Sequence, residues 1–205
     1  MSKGILSRKK ATIKPPKKFV IFSEGKNTEP EYFEALANGI PKTLIDLIIV
    51  KAAGAPKTIG KKALERKKSI KKDRNSFEEN DEVWVVFDRD EHDAVKETID
   101  NLSSQDVGVA FSNPCFEVWL ILHYTDFDKS IGRHDVQKEL EAICEGYSRK
   151  NGKKADFKAL VSNVEAAEAR AAKMNKRREN EGMPLQAPWT SVHNLTSSLR
   201  KSCKL

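Results

Sequence analysis

The sequence predicts an α/β protein: a small parallel sheet of about four strands, covered by helices and followed by a helical C-terminal extension. Three observations lead there. Four short apolar runs, at residues 19–22, 45–50, 83–87 and 107–111, alternate with segments of helical periodicity. The runs are apolar on both faces, as strands are when helices cover a parallel sheet on both sides. Beyond Ser112 every periodic segment reads as helix. The predicted boundaries are a flexible basic arm at 1–16, an α/β domain at 17–130 and a helical extension at 131–205 that packs on the same core.

Each element has a local reason. Pro15 and Pro16 cannot continue a helix and close the arm. The run 19–22 ends in Ser23-Glu24-Gly25. Thr28 and Glu31 stand at capping-box spacing, ahead of a stripe of Tyr32, Phe33, Leu36 and Ala37 that stops at Gly39. The run 45–50 is followed by Gly54, Pro56 and Gly60, which loosen the chain before a basic helix anchored by Ala63, Leu64 and Ile70. After the run 83–87, residues 92–104 place Ala94, Val95, Ile99 and Leu102 at helical spacing. Asn113 followed by Pro114 reads as a cap and first turn, with Phe116, Trp119, Leu120 and His123 on one face. A helix over 135–145 turns Val136, Leu140 and Ile143 inward. A long helix over 157–178 aligns Phe157, Leu160, Val161, Val164, Ala171 and Met174, and its basic end (Lys173, Lys176, Arg177, Arg178) suits the negative helix terminus. A last helix over 191–201 carries Val192, Leu195 and Leu199.

Charge is segregated. The formal net charge is +7, yet residues 1–18 alone carry seven basic side chains and no acid. Residues 57–74 carry nine basic side chains against Glu65 and Asp73, so the remainder is acidic. Basic charge concentrated in this way suits a polyanion, because counterions released from phosphates drive the association. The candidate nucleic-acid contacts are Lys57, Lys61, Lys62, Arg66, Lys67, Lys68 and Lys71. A solvated helix face and a basic tail are the plainer alternative. No apolar run approaches the length of a membrane helix, and the three cysteines (Cys115, Cys144, Cys203) form no C-x-x-C pair. These features predict a cytoplasmic protein without a membrane partner.

The chemistry-bearing residues are acids. Glu24 follows the first run, Asp88 and Asp90 follow the third, and Glu117 follows the fourth. The carboxyl ends of parallel strands share one edge, so these four acids are expected to converge there. Carboxylates brought together repel, and a divalent cation relieves the repulsion. Magnesium takes oxygen ligands and usually only one or two protein carboxylates, leaving places for water and phosphate. Gly25 serves a left-handed turn or the close approach of a phosphate. The alternatives stay open: Glu24 as a turn residue, Asp90 as a helix cap, and Glu29, Glu31, Glu91 and Asp93 as first-turn acids favoured by the helix dipole. His92 and His123 are accessory candidates or structural histidines.

Glu24-Gly25-x-x-Thr28-Glu29-x-x-Tyr32-Phe33, Phe87-Asp88-Arg89-Asp90-Glu91-His92 and Ser112-Asn113-Pro114-Cys115-Phe116-Glu117-x-Trp119-Leu120 together resemble the RloB family of bacterial restriction-modification and AbiL-type abortive-infection loci. That family resembles a divergent branch of the Toprim superfamily, whose catalytic domain is a small parallel α/β sheet. The resemblance implies that Asp88 and Asp90 hold Mg2+ (or Mn2+), that Glu24 ligates it or acts as general acid/base, and that Glu117 is an extra acid. Gly25, Arg89, His92 and Asn113, also within these blocks, are accessory candidates. The expected activity is a Toprim-type nuclease acting on RNA, tRNA included, or DNA in anti-phage defence. The chain lacks a Walker A motif, so the expected ATPase partner is separately encoded; a homo-oligomer is also allowed. The alternatives are a non-catalytic nucleic-acid- or partner-binding module and, less compatibly, a haloacid-dehalogenase-type phosphatase, whose Asp-x-Asp normally follows the first strand rather than the third.

Overall fold

The computed structural model describes residues 15–72, 80–89, 95–148 and 155–202. The predicted basic arm therefore falls almost wholly outside the described residues, as do Asp90, Glu91, His92 and Asp93.

Four parallel strands and one short antiparallel strand make a single sheet in the order β2-β1-β3-β4-β5. They are β1 (Lys17–Ser23), β2 (Ile45–Val50), β3 (Glu82–Asp88), β4 (Gly108–Asn113) and β5 (Trp189–Thr190). Alternate side chains of the strands enter two separate cores. Phe19, Ile21, Val86 and Ala110 join one, while Val20, Phe22, Val85, Phe87 and Phe111 join the other. Helix α1 (Thr28–Asn38) packs on the first face; α2 (Pro56–Lys72) and α3 (Val95–Ser104) pack on the second. The first face is thickened by α4 (Glu117–Ile121), α5 (Arg133–Ile143), α6 (Phe157–Val161), α7 (Val164–Asn180) and α8 (Val192–Lys201), whose apolar side chains share the core of α1.

Several local expectations need correction. β2 is an edge strand and leaves Ile48 39% exposed, so it is not buried on both faces. Helix α1 begins at Thr28 without a capping box: Asn27 holds the cap position and makes no side-chain cap bond. Gly60 lies inside α2, where a Cβ would reach ordinary contact with Leu102 of α3 at 3.5 Å. Ile143 is 40% exposed at the end of α5. The single long helix is two, α6 and α7; at the break Ser162 Oγ donates to the Ala159 carbonyl at 2.6 Å, a local bond that competes with the helix ladder. The apolar stripe passes through that break in register, which is why it reads as continuous. The basic end of α7 is matched by acids: Lys173 pairs with Asp126, Lys176 with Glu179, Arg177 with Asp128 and Glu181, and Arg178 with Asp128 and Glu181.

β5 escapes periodicity because it has only two residues. It is held by Asn175 of α7, whose amide donates to the Thr190 carbonyl at 2.8 Å and accepts from the Thr190 amide at 3.3 Å. Ser191 next to it bonds Phe111 N and Val109 O of β4 at 2.9 and 3.0 Å.

Gly108 is required by close approach. It pairs with Trp84 across β3 and β4, and a Cβ at Gly108 would lie 2.3 Å from the indole. The indole has no easy retreat, because its N–H donates to Glu82 at 2.7 Å. Glu82 also binds Lys17 at 2.6 Å and Ser198 at 2.7 Å. Gly108→Ala is expected to destabilise the protein by about 1–3 kcal/mol, read as a lower urea midpoint at unchanged slope. An unchanged midpoint would show that the indole moves aside.

Candidate active site

In this sheet the connection from β1 runs through α1 to β2 on one side, and the connection from β2 crosses back through α2 to β3 on the other side of β1. The crevice at the carboxyl ends of β1 and β3 is thus the topological switch point, where open α/β sheets bind ligands. Glu24 and Asp88 flank it. The Glu24 amide donates to the Val86 carbonyl at 3.1 Å, which ties the turn after β1 to the end of β3.

Asp88 points to the same face as Val86, toward α1 and α4. Its carboxyl is pushed well above the usual carboxylate range, first by burial, then by the charges of Glu29 and Glu117. Arg133 and the Phe116 backbone amide, which donates to Asp88, pull the other way and do not prevail. Three acids from β3, α1 and α4 therefore share one electrostatic neighbourhood.

Each is placed by its local structure. Glu29 is 8% exposed in the first turn of α1, and a Cβ on Gly25 would come within 2.0 Å of its Oε2, so Gly25 leaves room for that carboxylate. Glu117 is 2% exposed at the start of α4. Its Oε1 accepts from Tyr147 OH at 2.8 Å and from Gln137 Nε2 at 3.2 Å. Burial and the same carboxylate push the Cys115 thiol and the Tyr147 phenol up, so both stay protonated and act as donors or neutral walls. Arg133, the first residue of α5, lies with its Nη2 3.7 Å from Asp88 Oδ2.

The remaining candidates are distributed differently. Arg89 is exposed, and its amide donates to the Ser112 carbonyl at 2.8 Å. Asn113 ends β4 rather than capping a helix: the cap position of α4 is Phe116, and the Asn113 amide group donates to the Leu185 carbonyl at 2.7 Å. His123 is structural, bonded to Tyr32 OH and the Trp119 carbonyl at 3.0 Å each, with burial driving its pKa down to about 4. Asp90 and His92 lie outside the described residues.

Helix α2 starts at the site's edge and runs away from it. Its N-terminal end follows β2, and Lys62 donates to the Ala53 carbonyl at 2.8 Å, in the loop whose Ala53 amide binds Ser23 O. Lys57 and Lys61 are exposed beside a groove of about 430 Å³ between α2 and α3, lined also by Leu64, Glu97, Thr98 and Asn101. Lys68 is exposed farther along and Arg66 is half-buried. Lys67 is 8% exposed and paired with Asp106 at 2.7 Å, which withdraws it from the outer face. The side chain of Lys71 is not among those described.

Sequence reasoning singled out Asp88 and Glu117 and missed Glu29, Arg133, Gln137 and Tyr147. For Arg133 the signal was a cation at the positive end of a helix; Glu29 reads in the sequence like any first-turn acid. Among the described residues no three His, Cys, Asp or Glu side chains stand close enough to hold an ion jointly. Magnesium needs only one or two carboxylates with water in the other places, so a hard-oxygen donor set with an excess of negative charge fits it in kind.

One sheet pairing and one charge environment explain Asp88 together. Because Asp88 is in register with Ser112, β4 delivers Phe116 and Glu117 directly beside it. The pH consequence follows. A buried acid with a raised pKa takes up its proton more readily folded than unfolded, so wild-type stability falls as pH rises from the ordinary carboxylate value through the raised one. His123 acts with the opposite sign between about 4 and its ordinary value, equally in any Asp88 variant. In metal-free buffer Asp88→Asn is therefore expected to be more stable than wild type at neutral pH. The difference should vanish on acidification; a neutral-pH loss in thermal denaturation would contradict the charge account.

No match was found among curated proteins or among solved structures. The model of the family described as RloB-like protein matches residues 19–199, which include every element from the site to α8 except the first residues of β1 and the last of α8. The chain belongs to the RloB-like protein family.

Proposed function

We propose that this protein is a metal-dependent nuclease of Toprim type, acting on RNA or DNA as an effector of bacterial anti-phage defence. The observation that carries the proposal is the gathering of Asp88, Glu29 and Glu117 beside the switch-point crevice, in an environment that penalises their shared negative charge. In this reading Asp88 holds Mg2+ or Mn2+, with the help of Glu24 after β1 and of Asp90 two residues on in the sequence. A divalent ion held there would supply charge compensation at a phosphate and a water of lowered pKa. Glu117, fixed through Oε1 by Tyr147 and Gln137, contributes a carboxylate of set orientation. Lys57 and Lys61 offer cations to a nucleic-acid backbone from the same edge of the sheet. The proposal includes a cytoplasmic setting and a separately encoded ATPase partner, and it leaves room for a homo-oligomer.

The test is cleavage of labelled DNA, total RNA and tRNA in Mg2+, Mn2+ or EDTA, with and without a candidate ATPase added as a separate protein. Cleavage in metal and none in EDTA is the expected result. Binding without cleavage in every condition would favour a non-catalytic nucleic-acid- or partner-binding module. The described acids offer no three-ligand cluster, and that observation speaks for this second reading.

A further inference from the structure

Two cations stand level with each other on the two sides of the crevice. Ser23 of β1 is paired with Val86 of β3, and Lys26 and Arg89 each follow that pair by three residues. Both are exposed, and the backbone beneath each is tied down. The turn that carries Lys26 is held to β3 by the Glu24 amide on the Val86 carbonyl at 3.1 Å. It is held to the chain after β2 by the Ala52 amide on the Gly25 carbonyl at 3.2 Å. The Arg89 amide continues the ladder to β4 through the Ser112 carbonyl at 2.8 Å. Side chains alternate along such a ladder, so Arg89 is turned away from Asp88, to the face that α2 covers with Lys57 and Lys61. Other cations of this edge are matched: Lys51 pairs with Glu34 at 2.8 Å, and Arg133 lies 3.7 Å from Asp88. Lys26 and Arg89 have no ion pair among the described residues, although Glu24, Glu29 and Asp88 belong to the same edge.

We propose that Lys26 and Arg89 form a clamp that grips the backbone of a nucleic acid from both sides of the crevice and sets a phosphodiester over Asp88. The inference deepens the nuclease reading above and rests on it for the class of ligand. Neighbouring strands are about 4.8 Å apart, so two long side chains rising from β1 and β3 reach one stretch of backbone. A pocket of three acids repels a phosphodiester, and a cation on each side offsets that repulsion where the strand must pass. The guanidinium takes phosphate oxygens in a planar fork, and the ammonium adds a point charge. The pinned backbone matters because a grip fixed relative to Asp88 positions the bond as well as binding it.

The experiment uses full chains: wild type, Lys26→Ala, Arg89→Ala, the double variant, the charge-keeping Lys26→Arg and Arg89→Lys, and Lys42→Ala. Lys42 is exposed ahead of β2, at the opposite edge of the sheet. Affinity for a labelled single-stranded oligonucleotide is measured in Ca2+ over a series of salt concentrations. Each clamp variant to Ala is expected to reduce the slope of log affinity against log salt by about 0.7, and the double variant by about 1.4. Lys26→Arg, Arg89→Lys and Lys42→Ala should keep the wild-type slope. In Mg2+ the double variant should raise KM for cleavage, with kcat kept within about twofold. An unchanged slope or an unchanged KM in the double variant, or an equal loss of slope in Lys42→Ala, overturns the clamp and leaves the nuclease reading in place. Wild-type binding without cleavage in any metal overturns the nuclease reading alone, because the slopes read the grip on phosphates directly. Absence of binding by wild type overturns both.

Discussion

Asp88→Ala is expected to lower metal-dependent cleavage by on the order of 10³-fold or more, with oligonucleotide affinity in EDTA kept within about twofold because the backbone-gripping lysines are untouched. The split between the two readouts follows from the structure. Asp88 is deep in the switch-point crevice, whereas Lys57 and Lys61 stand out on α2. The variant removes a carboxylate whose ionised form the fold disfavours, so the protein is expected to remain folded and its lost activity to be chemical. A gel-based cleavage assay across a Mg2+ titration decides the matter. Full activity at saturating metal would exclude Asp88 from the chemistry and take the nuclease proposal with it.

The largest stability effect is expected from Trp119→Ala, a loss of about 3–5 kcal/mol. Trp119 is fully buried in α4, edge-on to Tyr32 at 6.1 Å and to His123 at 4.9 Å between ring centroids. His123 bonds the Trp119 carbonyl and, through its other ring nitrogen, Tyr32 of α1. Truncating the indole opens a void among groups that cannot collapse into it, because the imidazole is held at both nitrogens. The void lies two residues from Glu117, so the site should loosen with it. Guanidinium denaturation followed by circular dichroism measures the loss; a cost under about 1 kcal/mol would mean that the core repacks.

The sheet was legible because β1, β3 and β4 carry unbroken apolar runs, and the basic helix because Ala63 and Ile70 recur at helical spacing amid lysines. Asp88 could be singled out for the same reason, as a charge abutting such a run. Glu29 could not be distinguished from a first-turn acid, since both occupy the same place in the sequence; only the packing of α1 beside β3 separates them. Asn113 followed by Pro114 has the signature of a helix start, but the hydrogen bond to Leu185, 72 residues away, decides otherwise. Tyr147 and Gln137 left no trace, because their partner Glu117 is reached through tertiary structure alone.

The antiparallel strand at 189–190 bears on biosynthesis. β4 delivers Glu117, and its outer margin is completed by Trp189, Thr190 and Ser191, while α8 fills the core beneath. A growing polypeptide cannot finish that margin until residues 189–200 have emerged from the ribosome. The strand that leads toward Glu117 thereby gains its last neighbour late, so a nascent chain carries the sequence of this margin before it carries its shape.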